Sequence, residues 1–196
     1  MSDFKQRSDK TVAVFLATGF EEVEAIAVVD VCFRAGIRCD MVSVTAEDHV
    51  TSSRNVTVVA DRTIVDEGFS FDDYDMLVLP GGIPGMPNLK ACEPLCQALV
   101  ARAADGRDMA AICASPSILA ELGILEGRTA TANPHFQQVL AEKGAEVLPA
   151  TRTVVDGNVI TSQGMGTAVD FGLAIVEHYL GLAAADRVRQ GLVLLD

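Results

Sequence analysis

The sequence predicts a single α/β domain with a mostly parallel central sheet covered by helices on both faces. Short apolar and β-branched runs alternate with helical periodicity from residue 11 onward, which is the pattern of consecutive βαβ units. The runs TVAVFLA (11–17) and DMLVLP (75–80) are continuously apolar, as is typical of strands buried on both faces. With 196 residues, the chain suits one domain with a full core.

The individual elements follow from this periodicity and from the residues that interrupt it. Gly36 and Gly144 end helical patterns, as glycine often does at helix C-termini. Asp156-Gly157 indicates a β-hairpin. The predicted strands are 11–17, 38–44, 55–60, 62–64, 75–80, 109–113, 128–132, 145–149 and a hairpin over 152–162, and the predicted helices are 24–36, 93–104, 114–124, 134–144 and 167–181. We expect residues 1–10 to form a flexible N-terminus and residues 11–196 to form the domain.

Composition and charge exclude several function classes. The net charge of -12 disfavours nucleic acid and anionic membranes as partners, since both need Lys and Arg to replace counterions. The polar start of the chain predicts no secretory signal, and no apolar run is long enough to span a membrane. Five cysteines, an odd number, argue against a disulfide framework and favour a reducing, cytoplasmic location.

Residues suited to binding or catalysis follow three of the predicted strands. In parallel α/β sheets, ligands bind beyond the carboxyl ends of the strands. The segments Thr18–Glu24, Pro80–Pro87 and Cys113–Pro116 each follow a predicted strand. We therefore expect these three segments to meet at one crevice.

Cys113 is the candidate nucleophile of this crevice. An apolar strand runs into it and a helix follows at once, so helix N–H groups and the helix dipole would stabilise a thiolate and lower its pKa. The neighbouring backbone N–H groups would also receive an oxyanion. The alternative is a buried, inert cysteine, which is common.

Glu24 is the candidate proton carrier. It has apolar neighbours on both sides and is expected to point inward, where burial raises the pKa of a carboxyl. The alternative is that acids at a helix start only complement the dipole. Pro80-Gly81-Gly82 either lets backbone approach a ligand or forms an ordinary turn.

Other polar residues are weaker candidates. His135 follows a strand end and is placed to reach the crevice. Cys92 and Cys96 have no histidine pair nearby, so a zinc site is not expected.

Taken together, the motifs resemble the DJ-one/ThiJ/PfpI superfamily and, within it, the Parkinsonism-associated protein-deglycase branch. The resemblance runs from about residue 11 to the end of the chain. The matching segments are ATGFEEVEA (17–25), DVCFRAGI (30–37), LVLPGG (77–82), AAICASPSIL (110–119) and VITSQGMGTAVDFGLAIVE (159–177).

The resemblance implies a flavodoxin-like three-layer sandwich and a homodimer. It implies that Cys113 is an oxidisable nucleophile, that Glu24 is the protonated carboxyl beside it, and that Gly82 and Ala114 supply backbone donors to an oxyanion. It also places Arg54 at a position from which the side chain reaches the partner's site.

The function implied by the resemblance is a glyoxalase or deglycase acting on methylglyoxal or glycation adducts, with a small dicarbonyl substrate and without metal or organic cofactor. The alternatives are a peroxide-sensing stress protein or chaperone using the same cysteine, and another hydrolase or hydratase of the superfamily with unknown substrate.

The sequence departs from the family pattern at two positions near the candidate site. Asn133 stands where animal members have a histidine, so a Cys–Glu pair helped by His135 is better supported than a full triad. Ala114 replaces the histidine that the protease-like branch carries after its nucleophile, which disfavours peptidase activity.

Overall fold

The computed structural model describes residues 4–194. A seven-stranded sheet with the order β10-β11-β7-β6-β1-β2-β5 forms its centre. Its strand pairs are parallel except for the antiparallel pair β10–β11. The strands are β1 Thr11–Leu16, β2 Arg38–Ser43, β3 His49–Thr51, β4 Thr57–Val59, β5 Arg62–Thr63, β6 Met76–Leu79, β7 Asp108–Ile112, β8 Thr129–Ala130, β9 Glu146–Val147, β10 Thr153–Asp156 and β11 Val159–Ser162.

Helices cover both faces of the sheet, so the fold is the three-layer α/β sandwich that the sequence predicts. The helices are α1 Glu22–Ala35, α2 Gly85–Lys90, α3 Glu93–Ala104, α4 Pro116–Glu121, α5 Gln137–Glu142, α6 Ala168–Leu180 and α7 Leu182–Gly191. Two small two-stranded sheets, β3–β4 and β8–β9, lie outside the central one.

The central strand β1 separates two apolar cores. Val12, Val14 and Leu16 pack with residues of α1, α6 and α7, while Ala13 and Phe15 pack with residues of α3, α4 and α5 on the opposite face. Side chains of a strand alternate between its two faces. Burial on both faces explains why this strand is continuously apolar in sequence.

Most predicted elements are confirmed, with three corrections. The helix predicted over 114–124 contains six residues, Pro116–Glu121, and Gly123 adopts a left-handed φ of 78° just beyond it. Helix α2 lies between the predicted strand 75–80 and the predicted helix 93–104, where no element was predicted. Helix α7 was not predicted, because Gly181 indicated the end of the last helix and α7 buries only small apolar side chains and Val188.

The N-terminal segment contacts the domain at several points. The Arg7 N–H donates to the Gly36 carbonyl over 2.9 Å, and Lys10 pairs with Asp75 at 2.8 Å. The flexible N-terminus over residues 1–10 and the single domain over 11–196 stay predictions, and residues 1–3 and 195–196 lie outside the described residues. Within residues 4–194, none of the helices combines the length and apolar character that a bilayer crossing requires.

Candidate active site

Cys113 occupies a sharp turn immediately after β7. Its backbone has a φ of 65°, a left-handed conformation that non-glycine residues rarely adopt. Hydrogen bonds hold the turn on both sides: the Cys113 N–H donates to Ser162 O over 3.0 Å, and Cys113 O accepts from the Asn133 N–H over 2.9 Å. The Ser115 hydroxyl donates to Pro80 O over 2.6 Å. The ends of β6, β7 and β11 thus fix the position of the cysteine.

Glu24 reaches the same place from the first turn of α1. Glu21 caps the helix by accepting from the Glu24 N–H over 2.8 Å, and the Glu24 side chain then lies in the interior with 1% exposure. Its neighbours Val23 and Ile26 are 45% and 38% exposed. The inward direction therefore comes from the helix position and cap rather than from an apolar surrounding in sequence.

Gly81 brings the two side chains together. Its N–H donates to Glu24 Oε2 over 2.8 Å. A Cβ at this position would lie 2.6 Å from Cys113 Cβ and 2.8 Å from Glu24 Oε2, distances that real Cβ atoms do not show. The sequence left open whether Pro80-Gly81-Gly82 is a turn or a close approach, and the structure shows a close approach at Gly81.

The Glu24 carboxyl has a raised pKa. Burial raises its pKa to about 7, although hydrogen bonds with the Gly81 N–H and the Cys113 thiol lower it. Its second oxygen, Oε1, makes no hydrogen bond of normal geometry to the described residues. A carboxyl with this pKa exchanges its proton close to neutral pH.

The pKa of the Cys113 thiol differs from the one that the sequence predicts. Burial, followed by the negative charge of Glu24, raises its pKa to about 12, while the Ala114 and Gly82 N–H groups act in the opposite direction. The sequence predicted a lowered pKa from a helix N-terminus. That prediction is wrong because burial and the neighbouring Glu24 carboxyl outweigh the backbone N–H groups, and α4 is short and begins only at Pro116.

The remaining candidate residues divide into two groups. Asn133 is at the site: its Nδ2 and Cys113 Sγ both lie within 4 Å of the position that a Cβ on Gly164 would occupy. His135 is exposed, and only its backbone N–H contacts Asn133 Oδ1, over 3.2 Å. Arg54 is exposed, and its guanidinium contacts Ser53 O over 3.4 Å.

Two positions at the candidate site were not predicted from the sequence. Gly81 was not distinguished from Gly82, and Gly164 was not singled out. The signal for Gly164 was its place directly after β11, on the strand beside β7. Between residues 4 and 194, His, Cys, Asp and Glu side chains form no group of three or more that suits a metal ion.

Fold and site define a class of α/β proteins with a cysteine at a left-handed strand-to-helix turn beside a buried glutamate. The model of the DJ-1/PfpI family matches residues 10–178. The chain belongs to this family.

Relatives and solved structures agree with this assignment. Protein DJ-1 homolog A of Arabidopsis thaliana is 37% identical over 94% of this chain and 47% of its own length, so the chain spans about half of that relative. Glutathione-independent glyoxalase DJR-1.2 of Caenorhabditis elegans is 31% identical over 82% of this chain and 83% of its own length.

Two solved structures show the same fold. The crystal structure of Drosophila melanogaster DJ-1beta has a TM-score of 0.88 and 32% identity, covering 96% of this chain and 100% of that one. The oxidized Toxoplasma gondii DJ-1 has a TM-score of 0.84 and 32% identity, covering 94% of this chain and 98% of that one.

Replacing Glu24 by Gln should change how stability depends on pH. The pKa of Glu24 is about 7 in the folded protein against an ordinary 4.5, so folding favours the protonated form. The contribution of protonated Glu24 to the stability of the folded protein is complete below about pH 4.5 and is lost as the pH rises to 7. Glu24→Gln keeps an acceptor for Gly81 without the charge. We expect it to be more stable than the unmodified protein at pH 8 by roughly 3 kcal/mol and to lose this advantage near pH 4.5.

Urea unfolding at several pH values measures this difference. The exposed Glu67 provides the matched control, because Glu67→Gln removes a solvated carboxylate and should follow the unmodified protein. Parallel stability curves for Glu24→Gln and the unmodified protein would contradict the role of burial.

The same substitution should lower the pKa of the Cys113 thiol. The charge of Glu24 raises the pKa of the thiol, so its removal should lower the pKa for alkylation by about one unit or more. The rate of iodoacetamide modification of Cys113, followed by peptide mass spectrometry from pH 6 to 11, measures it. An unchanged or higher alkylation pKa in Glu24→Gln, with Glu67→Gln as control, is the opposing result.

Proposed function

We propose that this chain is a cysteine-dependent enzyme of the glyoxalase or deglycase type, acting on methylglyoxal or glycation adducts in stress defence. The observation that carries the proposal is the contact between Cys113 and the Glu24 carboxyl, whose pKa is about 7. The glyoxalase name of the Caenorhabditis elegans relative, at 31% identity, supports the same reaction class.

The first step forms a covalent adduct. Cys113 Sγ attacks the aldehyde carbon of methylglyoxal, and Glu24 takes the thiol proton and passes it to the new alkoxide, which gives a hemithioacetal. Burial raises the pKa of Cys113 to about 12, so the thiol is protonated before the attack. Glu24 therefore has to take the proton as the sulfur attacks. The N–H groups of Gly82 and Ala114 are assigned to the oxyanion.

The second step moves a proton between two carbons. Glu24 removes the proton from the former aldehyde carbon, which leaves an enediolate with negative charge on the former ketone oxygen. That oxygen takes the proton of the neighbouring hydroxyl, and Glu24 returns its own proton to the former ketone carbon. The product is an S-lactoyl thioester on Cys113. Water hydrolyses this thioester to lactate and regenerates the thiol, so the sequence needs neither an oxidant nor a metal.

A second candidate function is peroxide sensing by the same cysteine, with a chaperone-like stress role as the related alternative. Two equivalents of peroxide convert a thiol to a sulfinic acid, each transferring one oxygen to sulfur and leaving as water. A Glu24 carboxyl that keeps its proton near neutral pH is a hydrogen-bond donor for a sulfinate oxygen. The Toxoplasma gondii DJ-1 structure is that of an oxidized form, which favours this candidate.

The homodimer, the cytoplasmic location and the dicarbonyl substrate stay predictions. Apolar side chains on α1 and on the β3–β4 hairpin provide the surface that we expect a second copy to cover. They are Val23, Ile26, Phe33, Val56 and Val59, each at least 38% exposed.

Lactate formation from methylglyoxal without glutathione tests the enzymatic function. Cys113→Ser should abolish it, and Glu24→Gln should lower kcat by about 10²-fold or more, because it removes the general base. Cys96→Ser is the matched control, since Cys96 lies on α3 and its thiol donates to Lys90 O. Full activity in Cys113→Ser would overturn the proposal.

Mild hydrogen peroxide treatment tests the sensing function. We expect a gain of two oxygens at Cys113 before the other four cysteines, as measured by mass spectrometry of peptides. Glu24→Gln should keep a side-chain donor beside the sulfur and still accumulate the sulfinate. Oxidation of Cys92 or Cys96 at the same rate as Cys113 would argue against a sensor.

A further inference from the structure

Asn133 is held beside the nucleophile by its own backbone. Its N–H donates to Cys113 O over 2.9 Å, and its carbonyl accepts from the Phe136 N–H over 2.7 Å. Asn133 is thus the first residue of a turn over residues 133–136, and its N–H anchors this turn to the peptide carbonyl of the cysteine. Its position relative to the sulfur is fixed by these two bonds.

The orientation of the Asn133 amide is fixed as well. The His135 N–H lies 3.2 Å from Asn133 Oδ1. A backbone N–H only donates, so the atom facing it must be the amide oxygen, and Nδ2 must point the other way. Among residues 4–194, Nδ2 donates no hydrogen bond, and the one side-chain bond of Asn133 is made by Oδ1, so the amide N–H groups are free to donate to a ligand.

Side-chain atoms of Asn133, Glu24 and Cys113 lie close together beside Gly164. The position that a Cβ on Gly164 would occupy lies 3.7 Å from Asn133 Nδ2, 3.7 Å from Glu24 Oε1 and 3.8 Å from Cys113 Sγ. Glycine leaves this position free of side-chain atoms. A carbon atom bonded to Sγ that enters this position would lie between the Glu24 carboxyl and the Asn133 amide.

We propose that Asn133 Nδ2 binds the ketone oxygen of an α-ketoaldehyde attached to Cys113, and that it thereby selects 1,2-dicarbonyls over simple aldehydes. This inference rests on the proposed function and adds the residue that recognises the substrate class. When Glu24 removes the proton from the neighbouring carbon, negative charge develops on that ketone oxygen, and a fixed N–H donor stabilises it. An amide does not titrate near neutral pH, so Asn133 binds this oxygen while Glu24 alone moves the proton.

Asn133→Ser removes the side-chain amide donor but keeps an acceptor for the turn. The serine hydroxyl can still accept from the His135 N–H, but it is too short to reach the ketone oxygen. We expect kcat/KM for methylglyoxal to fall about 100-fold, which is typical of losing one oxyanion donor, and the iodoacetamide rate of Cys113 to stay within about twofold. Asn158→Ser is the matched control, because the Asn158 amide donates to Arg107 O over 2.8 Å, away from Cys113.

A binding measurement keeps the inference independent of turnover. Reversible adduct formation protects Cys113 from iodoacetamide, and propanal provides an aldehyde without the ketone oxygen. Asn133→Ser should weaken protection by methylglyoxal about tenfold or more and leave protection by propanal unchanged. If the unmodified protein makes no lactate, the proposed function fails, while this protection difference still decides the role of Asn133. Equal weakening for both aldehydes, or none for either, would overturn the inference.

Discussion

The burial of the Glu24 carboxyl against the Gly81 N–H and the Cys113 thiol is the constraint on which the site depends. A carboxyl with 1% exposure is costly to ionise, which raises its pKa to about 7, and its charge in turn raises the pKa of the cysteine. The raised pKa of Glu24 comes from its burial, whereas that of Cys113 comes from burial together with the charge of Glu24. The contact requires α1 to begin at Glu22, β6 to end before Pro80 and position 81 to carry no Cβ.

This constraint changes how the chemistry of the cysteine is understood. The sequence predicts that Cys113 is a thiolate stabilised by the N-terminus of a helix. In the structure it is a partly buried thiol next to a carboxyl whose pKa is about 7, and the proposed attack on substrate depends on this proton acceptor. General-base assistance is most effective when the pKa of the base is close to the working pH.

The sequence predicted the layers of the fold because continuous apolar strands and glycine-terminated helices are local signals. Gly36 is a left-handed helix cap, with a φ of 80°, and the Asp156-Gly157 turn joins an antiparallel pair. The extent of α4 and the presence of α7 were not predicted, since packing decides them. Cys113 and Glu24 were identified as candidates, but the direction of the thiol pKa depends on a contact between residues far apart in sequence.

The left-handed backbone at Cys113 has an evolutionary consequence. An L-residue other than glycine or asparagine at a φ of 65° costs about 1–2 kcal/mol, and the buried carboxyl at position 24 adds a further cost at neutral pH. The fold would therefore gain stability by giving up both residues. A relative that carries glycine at position 113 and an apolar residue at position 24 would be a more stable scaffold without this chemistry. The residues at these two positions therefore distinguish such a relative from its sequence alone.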